Sequence, residues 1–157
     1  MAQMRHISNL ARIPKEFMDD PDFLTKLQTV RVGDAVGTEK FYVNVDNVRP
    51  GAFSTKYHAH EMQEEFFMVM SGSGILRFDG QETRVSSGDV VAKPAGKGLA
   101  HQFINDGEDV LQILDIGTRV TGDAIVYPDE GTVYVKGQRG TFHLEDSIKG
   151  WSSDPNE

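Results

Sequence analysis

The chain has 157 residues, no cysteine and a formal net charge of −8. This length suits one domain with a real core, and the missing thiols exclude disulfides, thiolate ligands and cysteine nucleophiles, in keeping with an expected cytoplasmic location. The acidic balance repels phosphate backbones and anionic lipid, so neither nucleic acid nor a membrane surface is an expected partner.

Taken in chain order, residues 1–20 interleave charged with apolar positions, so no hydrophobic region of a secretion signal is expected. Residues 1–30 read as an N-terminal arm in which 13–17 and 21–27 each start a short helix, with Pro14 and Pro21 in the first turn. From Lys40 onward the pattern predicts strands over 41–45, 55–60, 65–70, 74–78, 82–85, 89–93, 101–105, 110–117 and 132–136. Gly, Asp-Gly and the Pro94-Ala95-Gly96 turn punctuate them. The longest purely apolar run, residues 66–70, is five residues, far short of the about 20 that span a bilayer. No amphipathic helix separates the strands, which argues against βαβ units, and an antiparallel barrel or jelly roll is expected over residues 31–149. Residues 150–157 form a polar tail that Trp151 could pin to the body.

Three of the five histidines fall in two of these strands, as His58, His60 and His101. In a strand, residues two apart share a face with Cα atoms about 6.6 Å apart, so His58 and His60 look the same way and can chelate one ion. Glu64 and Glu65 open the next strand, and only one of them can face inward; that strand is apolar on both faces, so alternation does not choose between them.

Gly51, His58, His60, Glu65 and Gly72 together resemble the first motif of the cupin superfamily, and Gly88, Pro94, Gly96, His101 and Asn105 resemble the second. The register from Glu65 to Gly72 favours Glu65 over Glu64. Six residues separate Gly51 from His58 where the usual motif has five, and four separate Gly96 from His101 where it has two. Both insertions lie in loops ahead of the ligands. The resemblance implies an all-β double-stranded β-helix, with His58, His60, Glu65 and His101 holding one divalent metal near the mouth, in a chain that pairs as a homodimer.

Three imidazoles and one carboxylate suit Fe, Mn, Ni, Cu or Zn and leave positions open for water or substrate. Alternation gives the substrate wall: Lys56 shares the parity of the first histidine pair, Phe67 and Val69 that of Glu65, and Phe103 and Asn105 that of His101. An inward Lys56 would meet Glu65 or an anionic small-molecule substrate, while Lys93 and Lys97, flanking the Pro94-Ala95-Gly96 turn, either add positive charge at the mouth or are ordinary solvated loop charges. Tyr57 faces away by the same alternation. His6 and His143 read as surface residues, residues 115–119 and 127–129 as structural elements, and Phe66, Met68 and Met70 as packing between sheets or subunits. No residue is singled out as catalytic. The functions expected are a sugar-phosphate isomerase or epimerase, an Fe(II) dioxygenase, or a non-catalytic sensor; the isomerase lacks a second inward carboxylate to serve as base.

Overall fold

A computed structural model describes residues 6–17, 27–148, 150 and 153–156. Among them, thirteen strands form the body, joined to one short helix, α1 (Val32–Val36). The first layer is a six-stranded antiparallel sheet in the order β1 (Glu16–Phe17), β2 (Gln28–Arg31), β3 (Phe41–Val48), β10 (Leu111–Thr118), β5 (Glu65–Ser71), β8 (Val90–Lys93). The second layer has two parts: β13 (Thr141–His143), β12 (Thr132–Val135), β11 (Ala124–Tyr127) and β4 (Ala59–His60), then β7 (Gln81–Ser86), β6 (Ser73–Phe78) and β9 (His101–Ile104). An antiparallel bridge between His58 and His101 stitches the two parts together. The all-β jelly roll expected from the sequence is the architecture found. No helix among the described residues is long and apolar enough to cross a membrane.

Side chains from both layers fill the interior. Val48, Phe67, Val69, Leu111 and Ile113 of the first sheet meet Leu76, Val85 and Phe103 of the second in one buried cluster. Each such side chain contributes about 1.5–3 kcal/mol by leaving water. Strand alternation explains the pattern on β5, where Glu65, Phe67 and Val69 are buried and Phe66 is exposed. Phe66, Met68 and Met70 therefore lie on the outer face of the sheet and not between the layers.

Several elements differ from the sequence reading. Residues 13–17 do not start a helix: Asn9 caps a 3-10 turn at Leu10–Arg12, and Glu16–Phe17 then pairs with Gln28 and Thr29 as β1. Pairing with a partner strand overrode the local helix signal of Pro14. Residues 28–30 of the expected arm already belong to β2. The predicted strand over 55–60 contracts to Ala59–His60. The second helical start, apart from the buried Leu27, and Trp151 lie outside the described residues.

Two glycines are required by geometry. Gly72 turns the chain from β5 to β6 at φ +80°, and a Cβ there would meet the Val110 carbonyl at 2.5 Å. Gly117 stands opposite Tyr42 on β3 and Glu65 on β5. A Cβ on it would lie 2.5 Å from the Tyr42 ring, so its bareness lets that ring cross over β10 toward Glu65.

Candidate metal centre

The pairing of the first sheet sets Tyr42, Gly117, Glu65 and Lys93 in one row across β3, β10, β5 and β8. The second layer brings its histidines to the same end. His58 and His101 exchange backbone hydrogen bonds, His58 N to His101 O at 3.3 Å and His101 N to His58 O at 2.9 Å, so their side chains are cross-strand neighbours. The His58 ring lies 5.0 Å from that of His60 and 4.9 Å from that of His101, centroid to centroid. Donor atoms of His58, His60 and Glu65 all lie within 4.8 Å of one another. All four residues are buried, and Glu65 rather than Glu64 is the inward carboxylate.

The outer ring of contacts fixes which imidazole atoms face inward. His58 Nδ1 lies 2.7 Å from the Lys56 carbonyl, which can only accept, so Nδ1 carries the hydrogen and Nε2 the lone pair. His60 Nδ1 lies 2.5 Å from Asp123 Oδ2, with the same consequence. Asp123 is fully buried and its other oxygen accepts from the Met62 backbone N–H at 2.7 Å. Burial and the nearby Lys93 charge lower the pKa of His58 to about 4 and hold His101 well below the imidazole range, so both rings are neutral at neutral pH. Ring nitrogens turned inward beside a carboxylate are what a metal requires, and His58, His60 and Glu65 fit that requirement.

His101 is occupied differently. Its Nδ1 lies 2.8 Å from the Lys93 ammonium, which in turn stands 2.5 Å from Glu65 Oε2. Burial opposes the charge of Glu65, yet its pKa is held well below the carboxylate range, and with the neighbouring rings neutral it is the Lys93 ammonium that favours the ionised form. Its Oε1 accepts from Gln63 Nε2 and from the Tyr42 hydroxyl, each at 3.0 Å. Lys136 donates to Gln63 Oε1 at 2.6 Å, which fixes the orientation of that amide.

The expected substrate wall takes other roles. Lys56 does not point inward: it pairs with Glu130 at the rim, because the strand begins only at Ala59 and the two-residue period does not reach back to position 56. Phe67 packs on His101 with ring centroids 4.5 Å apart and on Phe103 at 5.4 Å. Val69 and Phe103 belong to the apolar core. Asn105 is fully buried and donates at 2.8 Å to the carbonyls of both Val48 and Asp109, which ties loops together. Tyr57 does turn away from the histidines; its hydroxyl accepts from Gly80 N–H and Arg77 stacks over its ring. His6 and His143 are exposed.

A pocket of about 420 Å³ adjoins the centre, lined by Tyr42, Asn44, Gln63, Asp115, Arg119, Val120 and Lys136. Asp115, expected from the sequence to be structural, lies 3.0 Å from the Tyr42 hydroxyl, which also contacts Glu65 at 3.0 Å and Gln63 Nε2 at 3.4 Å. It also shares a hydrogen bond with Asp46, which requires one of the two carboxyls to be protonated. Burial, then the charges of Asp46 and Glu65, raise Asp115 well above the usual carboxylate value, so Asp115 holds that proton. Tyr42 is likewise raised by burial and by Asp115 and Glu65, and stays a phenol. The sequence did carry a signal for both residues: half-buried Asp115 alternates with the buried Leu111 and Ile113, and half-buried Tyr42 with the buried Asp46 and Val48.

Residues 44–117 match the family model described as a cupin domain. Two solved structures resemble the chain over most of its length. One, from Acidithiobacillus ferrooxidans and provisionally named a sugar phosphate isomerase, is 26% identical, covering 95% of this chain and 98% of its own, with a TM-score of 0.83. The other, from Silicibacter pomeroyi, is named a sugar phosphate isomerase of the cupin superfamily; it is 29% identical, covering 92% and 96%, with a TM-score of 0.80. A polyketide cyclase of Streptomyces resistomycificus, 20% identical over 71% of this chain and 78% of its own, shares the fold with a TM-score of 0.60.

Proposed function

We propose that this chain, which contains a cupin domain, is a metal-dependent isomerase or epimerase of a sugar phosphate or a similar anionic polyol. The observation that carries this reading is the pocket beside Glu65, where Lys136 and Arg119, the latter also paired with Asp34, supply positive charge and Asp115 supplies a carboxyl with a raised pKa. The names of the two similar structures support the same substrate class. Asp115 answers the lack of a second carboxylate noted from sequence. A raised value makes its ionised form a stronger base than an ordinary carboxylate, nearer the working pH.

His58, His60 and Glu65 would hold the metal, with His101 as fourth donor, and the bound ion would polarise substrate oxygens. Arg119 and Lys136 receive the anionic group and orient the polyol. Ionised Asp115 takes the proton from the carbon next to the carbonyl; that C–H electron pair becomes the C=C bond while the carbonyl π pair moves onto its oxygen as an enediolate. The proton then returns to the former carbonyl carbon as the neighbouring hydroxyl passes its proton to the enediolate oxygen and becomes the new carbonyl. The Tyr42 hydroxyl stands 3.0 Å from both Asp115 and Glu65 and gives its one hydrogen to either carboxylate in turn.

The test is solvent deuterium exchange into aldose and ketose phosphates, followed by NMR under argon with metal-loaded protein. Exchange and interconversion without oxygen are expected, with Asp115→Asn slower by about 100-fold or more at unchanged metal content. Exchange should also rise with pH above the ordinary carboxylate range, as Asp115 loses its proton. Oxygen uptake with a diol substrate, and no exchange under argon, would overturn the reading in favour of a dioxygenase.

A further inference from the structure

Lys93 stands where an unpartnered lysine would be most costly. It is 1% exposed, on the inner face of β8 directly opposite Glu65. Its Nζ lies 2.5 Å from Glu65 Oε2 and 2.8 Å from His101 Nδ1. An ammonium offers three hydrogens and no lone pair, so His101 Nδ1 is the acceptor in that contact. With Nδ1 accepting, Nε2 of the neutral ring carries the hydrogen, so neither nitrogen of His101 has an electron pair free for a metal while that contact lasts. Glu65 Oε2 is engaged by the same cation, while Oε1 is taken by Tyr42 and Gln63.

A metal about 2.0–2.2 Å from Glu65 and His101 donor atoms would lie hard against the ammonium, whose Nζ stands 2.5 Å from Glu65 Oε2 and 2.8 Å from the His101 ring. Two positive charges confined together in a buried volume repel strongly, so the two cations cannot share it. We propose that Lys93 is a built-in cation that closes the Glu65 and His101 side of the centre, and that a divalent metal reaches all four donors only by displacing it. Lys93 thereby sets the metal affinity and keeps Glu65 paired in the metal-free chain. The proposal rests on the reading of His58, His60, Glu65 and His101 as a metal centre.

The test is calorimetric titration of Mn²⁺ and Zn²⁺ into the full chain after chelator treatment, for wild type, Lys93→Met and the double variant Lys93→Met with His58→Ala. Thermal unfolding is followed in parallel. Lys93→Met is expected to bind one ion about tenfold or more tightly than wild type, a gain that loss of a merely structural residue would not give. Its metal-free form should melt lower than wild type, since Glu65 loses its partner, and should gain more from metal. Adding His58→Ala should remove the binding. Equal or weaker affinity in Lys93→Met, with binding still dependent on His58, overturns the proposal and leaves the centre standing. Binding independent of His58, or absent from wild type and Lys93→Met alike, overturns the reading of the centre and the proposal with it. Lys93→Gln, expected to act in the same direction, decides the matter should Lys93→Met fail to fold.

Discussion

The two ends of the barrel interior are built from the same strands and have opposite chemistry. On β3 the inward series runs from Val48 through Asp46 to Tyr42, on β10 from Leu111 and Ile113 to Asp115, on β5 from Val69 and Phe67 to Glu65, and on β9 from Phe103 to His101. One end is a dry apolar cluster; the other gathers Tyr42, Glu65, Lys93 and three histidines. The difference teaches how a small jelly roll affords a buried polar site. The apolar end supplies the free energy of folding, and the rigid strand register delivers charged groups to one another already paired. Substitutions at the two ends should therefore separate stability from metal binding.

The largest loss of stability is expected at the dry end. Phe103→Ala removes a ring that is 1% exposed and should cost about 3–5 kcal/mol by denaturant unfolding, leaving metal stoichiometry unchanged in the folded fraction. Comparable destabilisation with loss of metal would show that the two ends are not separable. Next comes Gly117→Ala, where the new Cβ meets the Tyr42 ring; a cost of about 1–3 kcal/mol is expected, together with slower deuterium exchange as Tyr42 is pushed off Asp115 and Glu65.

A smaller effect with a defined pH dependence is expected at Asp46, which lies between the ends. Burial raises its pKa to about 6, against stabilising hydrogen bonds from Thr29 and Asp115. The native state thus holds a proton more tightly than the unfolded chain from the usual carboxylate value up to about 6, and stability falls as pH rises through that window. Asp46→Asn should therefore gain about 1–2 kcal/mol over wild type above that window and nothing below it, in melts run across pH. A constant difference at every pH would contradict the buried, raised carboxyl. His58 acts in the opposite sense: its lowered value makes stability fall as pH drops from the ordinary imidazole range toward about 4. The smallest effect is expected at the rim, where Lys56→Ala removes a partly exposed pair with Glu130 and should change stability by less than about 1 kcal/mol with no change in metal affinity. A large drop in metal affinity there would restore Lys56 to the site.

The sequence made the donors readable because chelation has a spacing rule: two imidazoles two residues apart on a strand must share a face. The inward turn of Glu65 was readable from motif register and not from alternation, since β5 is apolar on both sides. Lys93 was visible as a charge beside the Pro94 turn, but its place opposite Glu65 depends on β5 pairing with β8, which local pattern does not specify. Asp115 and Tyr42 had a signal in their alternation with Ile113 and Val48. Asp123 had none: it sits in the loop before β11 and reaches His60 only through tertiary folding. Lys56 misled because alternation was extended into residues where the chain bends before the strand begins.

One diffraction measurement tests the metal centre most directly: an anomalous difference map from crystals soaked in Mn²⁺, with His60→Ala crystals treated alike. One peak bounded by His58 Nε2, His60 Nε2 and the Glu65 carboxylate, with the Lys93 ammonium moved away and the peak lost in His60→Ala, is the expected result. A peak elsewhere, or one that survives removal of His60, would contradict it.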